Sequence, residues 1–312
     1  MSQYVFGVDI GGTTVKLGLF DGEGNLLEKW EITTRKENEG SNILPDVAES
    51  IEKKIKEKNI ERQDVVGVGV GAPGPIDVEG TVHKAANLGW GEFSIRDTLN
   101  GILQLPVMAG NDANVAALGE MWRGGGKGAQ NLIVVTLGTG VGGGIIINGK
   151  MLTGATGAGG EIGHIHVEDD EIEACGCGNK GCLEQYTSAT GVTRLAKRKL
   201  AASEKDSVLR KGPISAKTVF DAVKAKDELA MEIAQEFGYY LGRELAAIAT
   251  IVNPEAIVIG GGVSKAGEVL IDYLKPYYDK YVFHSNKNVK FALATLGNDA
   301  GIYGAAKLVL DH

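Results

Sequence analysis

Five side chains that could hold a soft metal fall within one stretch, Thr156 to Tyr186: His164, His166, Cys175, Cys177 and Cys182. The stretch contains every cysteine of the chain. CGCGNKGC (175–182) sets three thiols at C-x-C-x4-C, with glycines that allow a tight loop. Three sulfurs and one imidazole complete a tetrahedral zinc site, and four protein ligands leave no water to activate, so the metal is structural. His164, eleven residues before Cys175, is the preferred fourth ligand. His166 competes with it, and spacing alone does not separate them. The plain alternative is free cysteines in a glycine loop, while an iron–sulfur cluster would want a fourth cysteine.

A second set of residues suits proton transfer and hydroxyl binding. Asp112 lies in GNDAN (110–114), where a strand ends and a helix begins. It could cap that helix, since aspartate is a preferred cap, or act as a general base on a hydroxyl within hydrogen-bond reach. Asp299, in the related GNDAG (297–301), has the same two readings, and there the cap is favoured. Glu161 and Glu184 flank the cysteine loop and, with Asn87 of AANLGW, could accept hydroxyl hydrogens.

A third set suits phosphate. GGTT (11–14) and GTG (138–140) each place glycines and a threonine at a strand-to-strand turn. Free backbone N–H groups there can wrap a phosphate, and the hydroxyl adds a donor. Neither turn is a Walker A loop. The two G-x-G-x-x-G matches, at 69–74 and 138–143, run into Pro75 and into a strand, where a dinucleotide fingerprint needs a helix.

The elements that must carry these residues form a repeated pattern. Residues 4–10, 15–20 and 26–32 read as a three-strand meander, and 43–59 as an amphipathic helix. Residues 65–77 are a strand running into a Gly/Pro loop, 106–112 a short strand and 113–123 a helix. The strand–turn–strand pattern returns at 132–152 with an Asn148–Gly149 hairpin. A strand and glycine loop return at 255–267, and the GNDA motif at 297. The three matches are offset by 127, 190 and 187 residues. A duplicated α/β fold follows, with roughly 60 extra residues in the second half that include the cysteine stretch and a charged, helical segment near 186–230.

Bulk properties exclude several classes. The 312 residues suit two lobes, with 46 glycines marking many tight turns or close ligand approaches. A net charge of −8 argues against nucleic acid as a partner. The first residues, MSQYVFGVDI, lack the basic start of a signal peptide, and Leu132–Ile147 is broken by glycines, so no membrane span is expected. Clustered cysteines fit a reduced cytoplasm better than a disulfide framework.

These residues together resemble the ROK sugar kinases (repressors, ORFs and kinases) over essentially the full chain, and most of all their ATP-dependent glucokinases. The likeness rests on DIGGTTVKLGLFD (9–21), GAPGPID (71–77), NLGW (87–90), GNDAN (110–114), TLGTGVGGGIIING (136–149), GEIGH (160–164), CGCGNKGCLE (175–184) and GGGVS (260–264). It implies an actin-like (ribonuclease H-like) α/β fold of two related lobes around a cleft, drawn at 1–115 plus about 300–312 and at 116–299. It also implies transfer of the ATP γ-phosphoryl group, with Mg²⁺, to the 6-hydroxyl of glucose or a related hexose. By the same resemblance Asp112 is the base, and Asn87, Asn111, Asp112, Glu161, His164 and Glu184 hold the sugar. Zinc takes His164, Cys175, Cys177 and Cys182. ATP lies against Asp9, Gly11, Gly12, Thr13, Thr14, Gly138, Thr139 and Gly140, with the nucleoside near Gly261 and Gly262. Many relatives carry lysine where this chain has Thr14, with Lys16 nearby. The family's repressors carry a DNA-binding segment before the first strand, for which residues 1–3 leave no room. A cytoplasmic homo-oligomer, dimer or tetramer, is the implied setting. The alternatives are a kinase for fructose, mannose, allose or an N-acetylhexosamine, a polyphosphate donor, or a non-catalytic sugar-responsive regulator.

Overall fold

A computed structural model describes residues 3–311. The chain runs β1 (Tyr4–Ile10), β2 (Thr14–Asp21), β3 (Leu26–Thr33), α1 (Ile43–Glu57), β4 (Val65–Ala72), β5 (Thr81–Val82), β6 (Phe93–Ser94), α2 (Ile95–Leu103), β7 (Val107–Asn111) and α3 (Asp112–Arg123). It continues through β8 (Leu132–Leu137), β9 (Val141–Ile147), β10 (Lys150–Met151), α4 (Glu184–Thr187), α5 (Ala189–Ala202), α6 (Ala216–Lys224) and α7 (Glu228–Val252). It closes with β11 (Ala256–Gly260), α8 (Val269–Tyr281), β12 (Lys290–Leu293) and α9 (Ala300–Leu310).

The repeat read from the sequence is present as two sheets of matching order, β3-β2-β1-β4-β7 and β10-β9-β8-β11-β12. In the first, β1–β3 form an antiparallel meander and β1, β4 and β7 run parallel. In the second, β8, β11 and β12 run parallel. Asn148 and Gly149 take φ of 51° and 75°, the left-handed pair that a two-residue hairpin requires.

One compact unit comprises the residues up to Gln130, Gly144–Gly160 and those from Leu296 on. The strand period of two decides how its sheet is covered. Phe6 and Val8 of β1 face a core shared with Val47 and Ile51 of α1. Val5 and Gly7 face α9, where a Cβ on Gly7 would lie 2.1 Å from the Ile302 carbonyl oxygen. At Gly69 of β4 the corresponding distance is 1.8 Å, to the Ala305 carbonyl. Helix α9 therefore rests its backbone directly on β1 and β4. Helix α3 rests on α9 in turn: a Cβ on Gly119 would meet the Ala300 carbonyl at 2.2 Å. That packing keeps the whole of α3 in this unit, which runs to Gln130 and resumes at Leu296.

The other unit, Asn131–Gly143 and Glu161–Thr295, contains β8, β11 and β12 and the helices α4–α8. Its longest element, the 25-residue α7, buries Ile233, Phe237, Leu241 and Leu245 along one face. Gly238 and Gly242 let the α8 backbone approach, with Cβ positions 2.2 Å from the Tyr273 and 2.3 Å from the Leu274 carbonyl oxygens.

One expectation changes and one alternative falls away. Asp299 does not cap α9; it ends a short 3-10 turn, its backbone is already helical, and its carboxylate pairs with Lys29 at 2.6 Å. Nor does Asp112 cap α3. Asn111 does, because its extended backbone lets its Oδ1 accept from the N–H groups of Ala113 (3.0 Å) and Asn114 (3.1 Å).

Candidate functional site

In the first unit the strand alternation that puts Val5 and Gly7 against α9 puts Asp9 there too. Gly301 makes the room, since a Cβ on it would lie 2.5 Å from the Asp9 carboxyl carbon. Burial pushes the Asp9 pKa up to about 6, Lys16 opposes the rise, and the charge of Asp112 adds to it. Lys16 Nζ is 4.0 Å from Asp9 Oδ2 and donates to the Asn298 carbonyl at 3.1 Å.

Asp112 is the first residue of α3, at the end of β7. Asn111 holds the helix cap, and Asp112 Oδ1 accepts from the Ala113 N–H at 2.8 Å. Burial raises its pKa, against the hydrogen bonds from Ala113, its own N–H and the Asn111 side chain. Asn111 is itself buried and donates to the Gly74 carbonyl at 3.0 Å. Asn87 is exposed on a small hairpin closed by the Ala85–Trp90 bridge.

The Gly11–Thr14 turn is tied from behind. Gly11 N–H donates to the Thr14 carbonyl at 3.0 Å, and Thr34 takes the Thr13 carbonyl through its N–H and the Gly11 carbonyl through its hydroxyl, at 2.9 and 2.7 Å. A Cβ on Gly12 would meet nothing within 4 Å. The protein's own packing does not demand that glycine, so its value is open backbone for an approaching group.

In the second unit the Gly138–Gly140 turn is built the same way. Gly138 N–H donates to the Gly140 carbonyl at 2.9 Å, and a Cβ on Gly138 would meet only that oxygen, at 3.9 Å. Gly262 is equally open, whereas Gly261 has a φ of 83° and is required because a Cβ would press on Leu137. Thr190, which the sequence did not single out, donates its hydroxyl to the Thr139 carbonyl at 2.8 Å.

The cysteine loop closes around four donors. One ligand atom each from His164, Cys175, Cys177 and Cys182 lies within 4.8 Å of all the others. His164 Nδ1 is 3.7 Å from Cys175 Sγ, and Cys177 and Cys182 are 3.6 Å apart. His166 is turned away: its Nδ1 meets the Lys180 carbonyl and its Nε2 meets Asp169, both at 2.9 Å. Glu184 joins this loop to the Gly138–Gly140 turn, accepting from Val141 N–H at 2.9 Å while its other oxygen lies 3.6 Å from Cys175 Sγ. Glu161 is exposed just before the short turn that carries His164.

A buried cluster that the sequence reading missed fixes the loop to α5. Glu171, whose side chain is 0% exposed, pairs with Arg194 at 2.7 Å and Arg198 at 2.9 Å and accepts from the Tyr186 hydroxyl at 2.6 Å. Burial alone would raise its carboxyl, yet these partners hold it far below the usual range. Two arginines four apart on one helix face were the available signal.

The glucokinase of Halalkalibacterium halodurans is 42% identical over 313 residues, covering 98% of this chain and 95% of the relative. That of Streptomyces coelicolor is 35% identical over 97% of this chain and 96% of its own length. Among solved structures, a ROK family glucokinase from Streptomyces griseus, in complex with glucose and AMPPNP, superposes with a TM-score of 0.76 at 34% identity, over 99% of this chain and 100% of that one. The ROK hexokinase of Thermus thermophilus does so at 0.81 and 32% identity, over 99% and 97%. The ROK family profile matches residues 5–312, and the chain belongs to the ROK family, with its actin-like ATPase fold.

Proposed function

We propose that the protein transfers the γ-phosphoryl group of ATP to the 6-hydroxyl of glucose, giving glucose 6-phosphate and ADP, with Asp112 as general base. The observation that carries this is an aspartate excused from capping its own helix. Asn111 performs that task, so Asp112 stands at a helix start with a pKa that burial raises. Its ionised form takes the hydroxyl proton as the oxygen–phosphorus bond forms and the bond to the ADP oxygen breaks. The rest of the task is positioning and charge stabilisation. Gly11–Thr14 with Asp9 and Gly138–Gly140 serve the Mg²⁺-bound phosphates, and Gly261 and Gly262 the nucleoside. Asn87, Asn111, Glu161, His164 and Glu184 serve the sugar hydroxyls.

The Cys₃His set fits zinc. A tetrahedron with Zn–S bonds of about 2.3 Å has S–S edges of about 3.8 Å, against 3.6 Å observed between Cys177 and Cys182, and His164 Nδ1 lies 3.7 Å from Cys175 Sγ. Bound there, zinc would supply a fixed loop rather than a reaction step. With Nδ1 facing the sulfurs, His164 keeps Nε2 for a hydroxyl.

A relative named N-acetylgalactosamine kinase, from Shewanella, is 32% identical over 97% of this chain, which keeps a kinase for another hexose as the second reading. Sugar-dependent ADP release across glucose, fructose, mannose, allose and N-acetylated hexosamines tests both. Glucose is expected to give the highest kcat/KM. A higher value for another sugar replaces the substrate, and no release with any sugar removes the kinase reading. Replacing ATP by polyphosphate in the same assay checks the donor.

A further inference from the structure

The metal loop and the Gly138–Gly140 turn share one short piece of chain. From Cys182, a donor of the Cys₃His set, only two residues lead to Glu184 and eight to Thr190. Over that distance three hydrogen bonds grip the turn. Glu184 Oε2 accepts from Val141 N–H at 2.9 Å, Ala189 N–H donates to the Gly138 carbonyl at 2.8 Å, and Thr190 Oγ1 donates to the Thr139 carbonyl at 2.8 Å. Glu184 is also packed tightly under the turn, since a Cβ on Gly140 would fall 2.2 Å from its Oε2. Its second oxygen lies 3.6 Å from Cys175 Sγ, so one carboxylate touches both the metal loop and the phosphate turn. The segment is held on its far side as well. Arg194 and Arg198 of α5 anchor Glu171, which belongs to the metal loop.

With three of its carbonyl and N–H groups held from behind, the turn has its remaining N–H groups directed by the 182–190 segment. We infer that the Cys₃His centre positions the nucleotide's phosphate turn through this segment, with Thr190 and Glu184 as positioning residues. Metal loss then weakens binding of the phosphates of ADP or ATP in addition to any effect on sugar. This rests on the kinase reading above, because it takes Gly138–Gly140 as the phosphate turn.

Glu184 is also proposed to meet the sugar, so Thr190 is the cleaner test. Thr190→Val removes the hydroxyl bond to Thr139 and leaves every metal donor in place. Calorimetric titration of the zinc-loaded protein with ADP, adenosine and glucose, alongside metal analysis, should show ADP binding about five- to tenfold weaker in Thr190→Val. Adenosine, glucose and zinc content should stay at wild-type values, and Thr190→Ser, which keeps the hydroxyl, should restore ADP binding. Chelator-stripped wild-type protein should likewise lose affinity for ADP more than for adenosine. Wild-type ADP affinity in Thr190→Val or in the stripped protein would overturn the inference. So would an equal loss for all three ligands, which marks general destabilisation. If the wild-type holoprotein binds no ADP at all, the kinase reading and this inference fall together; if it binds ADP but Thr190→Val is silent, only this inference does.

Discussion

The charge on Asp112 raises the pKa of Asp9, on top of the larger effect of burial, and Lys16 offsets the two only in part. Asp9 arrives from the end of β1 and Asp112 from the start of α3, and both carboxyls are pushed above the ordinary aspartate range. A general base works only when ionised, and a carboxylate facing Mg²⁺-bound phosphate binds the cation only when ionised. We therefore expect kcat/KM for glucose to climb with pH through about 6, the value of Asp9, and to level off above it. Below the bend the fall should approach about tenfold per pH unit. A profile flat down to about pH 5 would show that neither raised carboxyl governs turnover.

The neighbours Asn111 and Asp112 should separate stability from chemistry. Asp112→Asn is expected to cut turnover about 10²-fold or more, while glucose affinity stays within a few-fold of wild type. Asn111→Ala removes an oxygen that caps two N–H groups and an amide that holds the Gly74 carbonyl. It should cost about 1–2 kcal/mol of stability. The linkage sign sharpens the contrast. A carboxyl whose folded pKa is raised adds stability below its unfolded pKa, about 3.9, and loses it as pH rises through the folded value. At neutral pH the charge on Asp112 is a burden on the fold, so Asp112→Asn should melt no lower than wild type. Thermal melts of both variants, with steady-state kinetics, check the pair.

Much of the frame was legible because it is written in local rules. The alternation VFGVD and GVGVG puts glycines on the face that receives α9, and Asn148–Gly149 specifies its hairpin. The doubled strand order follows from three ordered motif pairs. The GNDA repeat misled at its second copy, because the same letters form the end of a strand at 110–111 and a 3-10 turn at 297–299. Whether an aspartate caps depends on backbone angles that motifs do not encode. Spacing could not choose between His164 and His166 either. That choice is made by loop closure, which gives His166 other partners at both nitrogens. Glu171 and Thr190 were invisible for a related reason, since their partners come from segments folded on at a distance.

The metal loop should respond to zinc in binding and in stability together. Regular structure is sparse between Met151 and Glu184, where a single 3-10 turn is assigned, so the loop's order rests on the Cys₃His set and on Glu171. Structural zinc contributes several kcal/mol or more to folding. Chelation, or Cys177→Ser, should lower the melting temperature by about 10 °C or more and weaken glucose binding, with one zinc per chain in the untreated protein. Protein free of metal by elemental analysis that keeps full glucose affinity would end the idea. Glu171→Ala gives a metal-independent counterpart, expected to cost about 3 kcal/mol by stranding Arg194.

The position of Asp112 also depends on a contact made well along its helix. A Cβ on Gly304 of α9 would lie 1.7 Å from the Val115 carbonyl oxygen and 2.9 Å from the Gly119 nitrogen, both backbone atoms of α3. Backbone cannot rotate away as a long side chain can, so Gly304→Ala forces the two helices apart. Overpacking of this kind costs about 1–3 kcal/mol, or more where backbone must shift. Because α3 begins at Asp112, the displacement reaches the proposed base, and a misplacement of about 1 Å can cost about 10²-fold in rate. We expect Gly304→Ala to lower kcat at least tenfold at temperatures where the variant remains folded. At Gly12, where a Cβ would meet nothing, Gly12→Ala should leave stability near wild type and act on KM for ATP instead. The two variants compared, by melting curve and by kinetics in both substrates, distinguish a glycine the fold needs from one the nucleotide needs. Loss of stability in Gly12→Ala with unchanged KM for ATP would reverse that assignment.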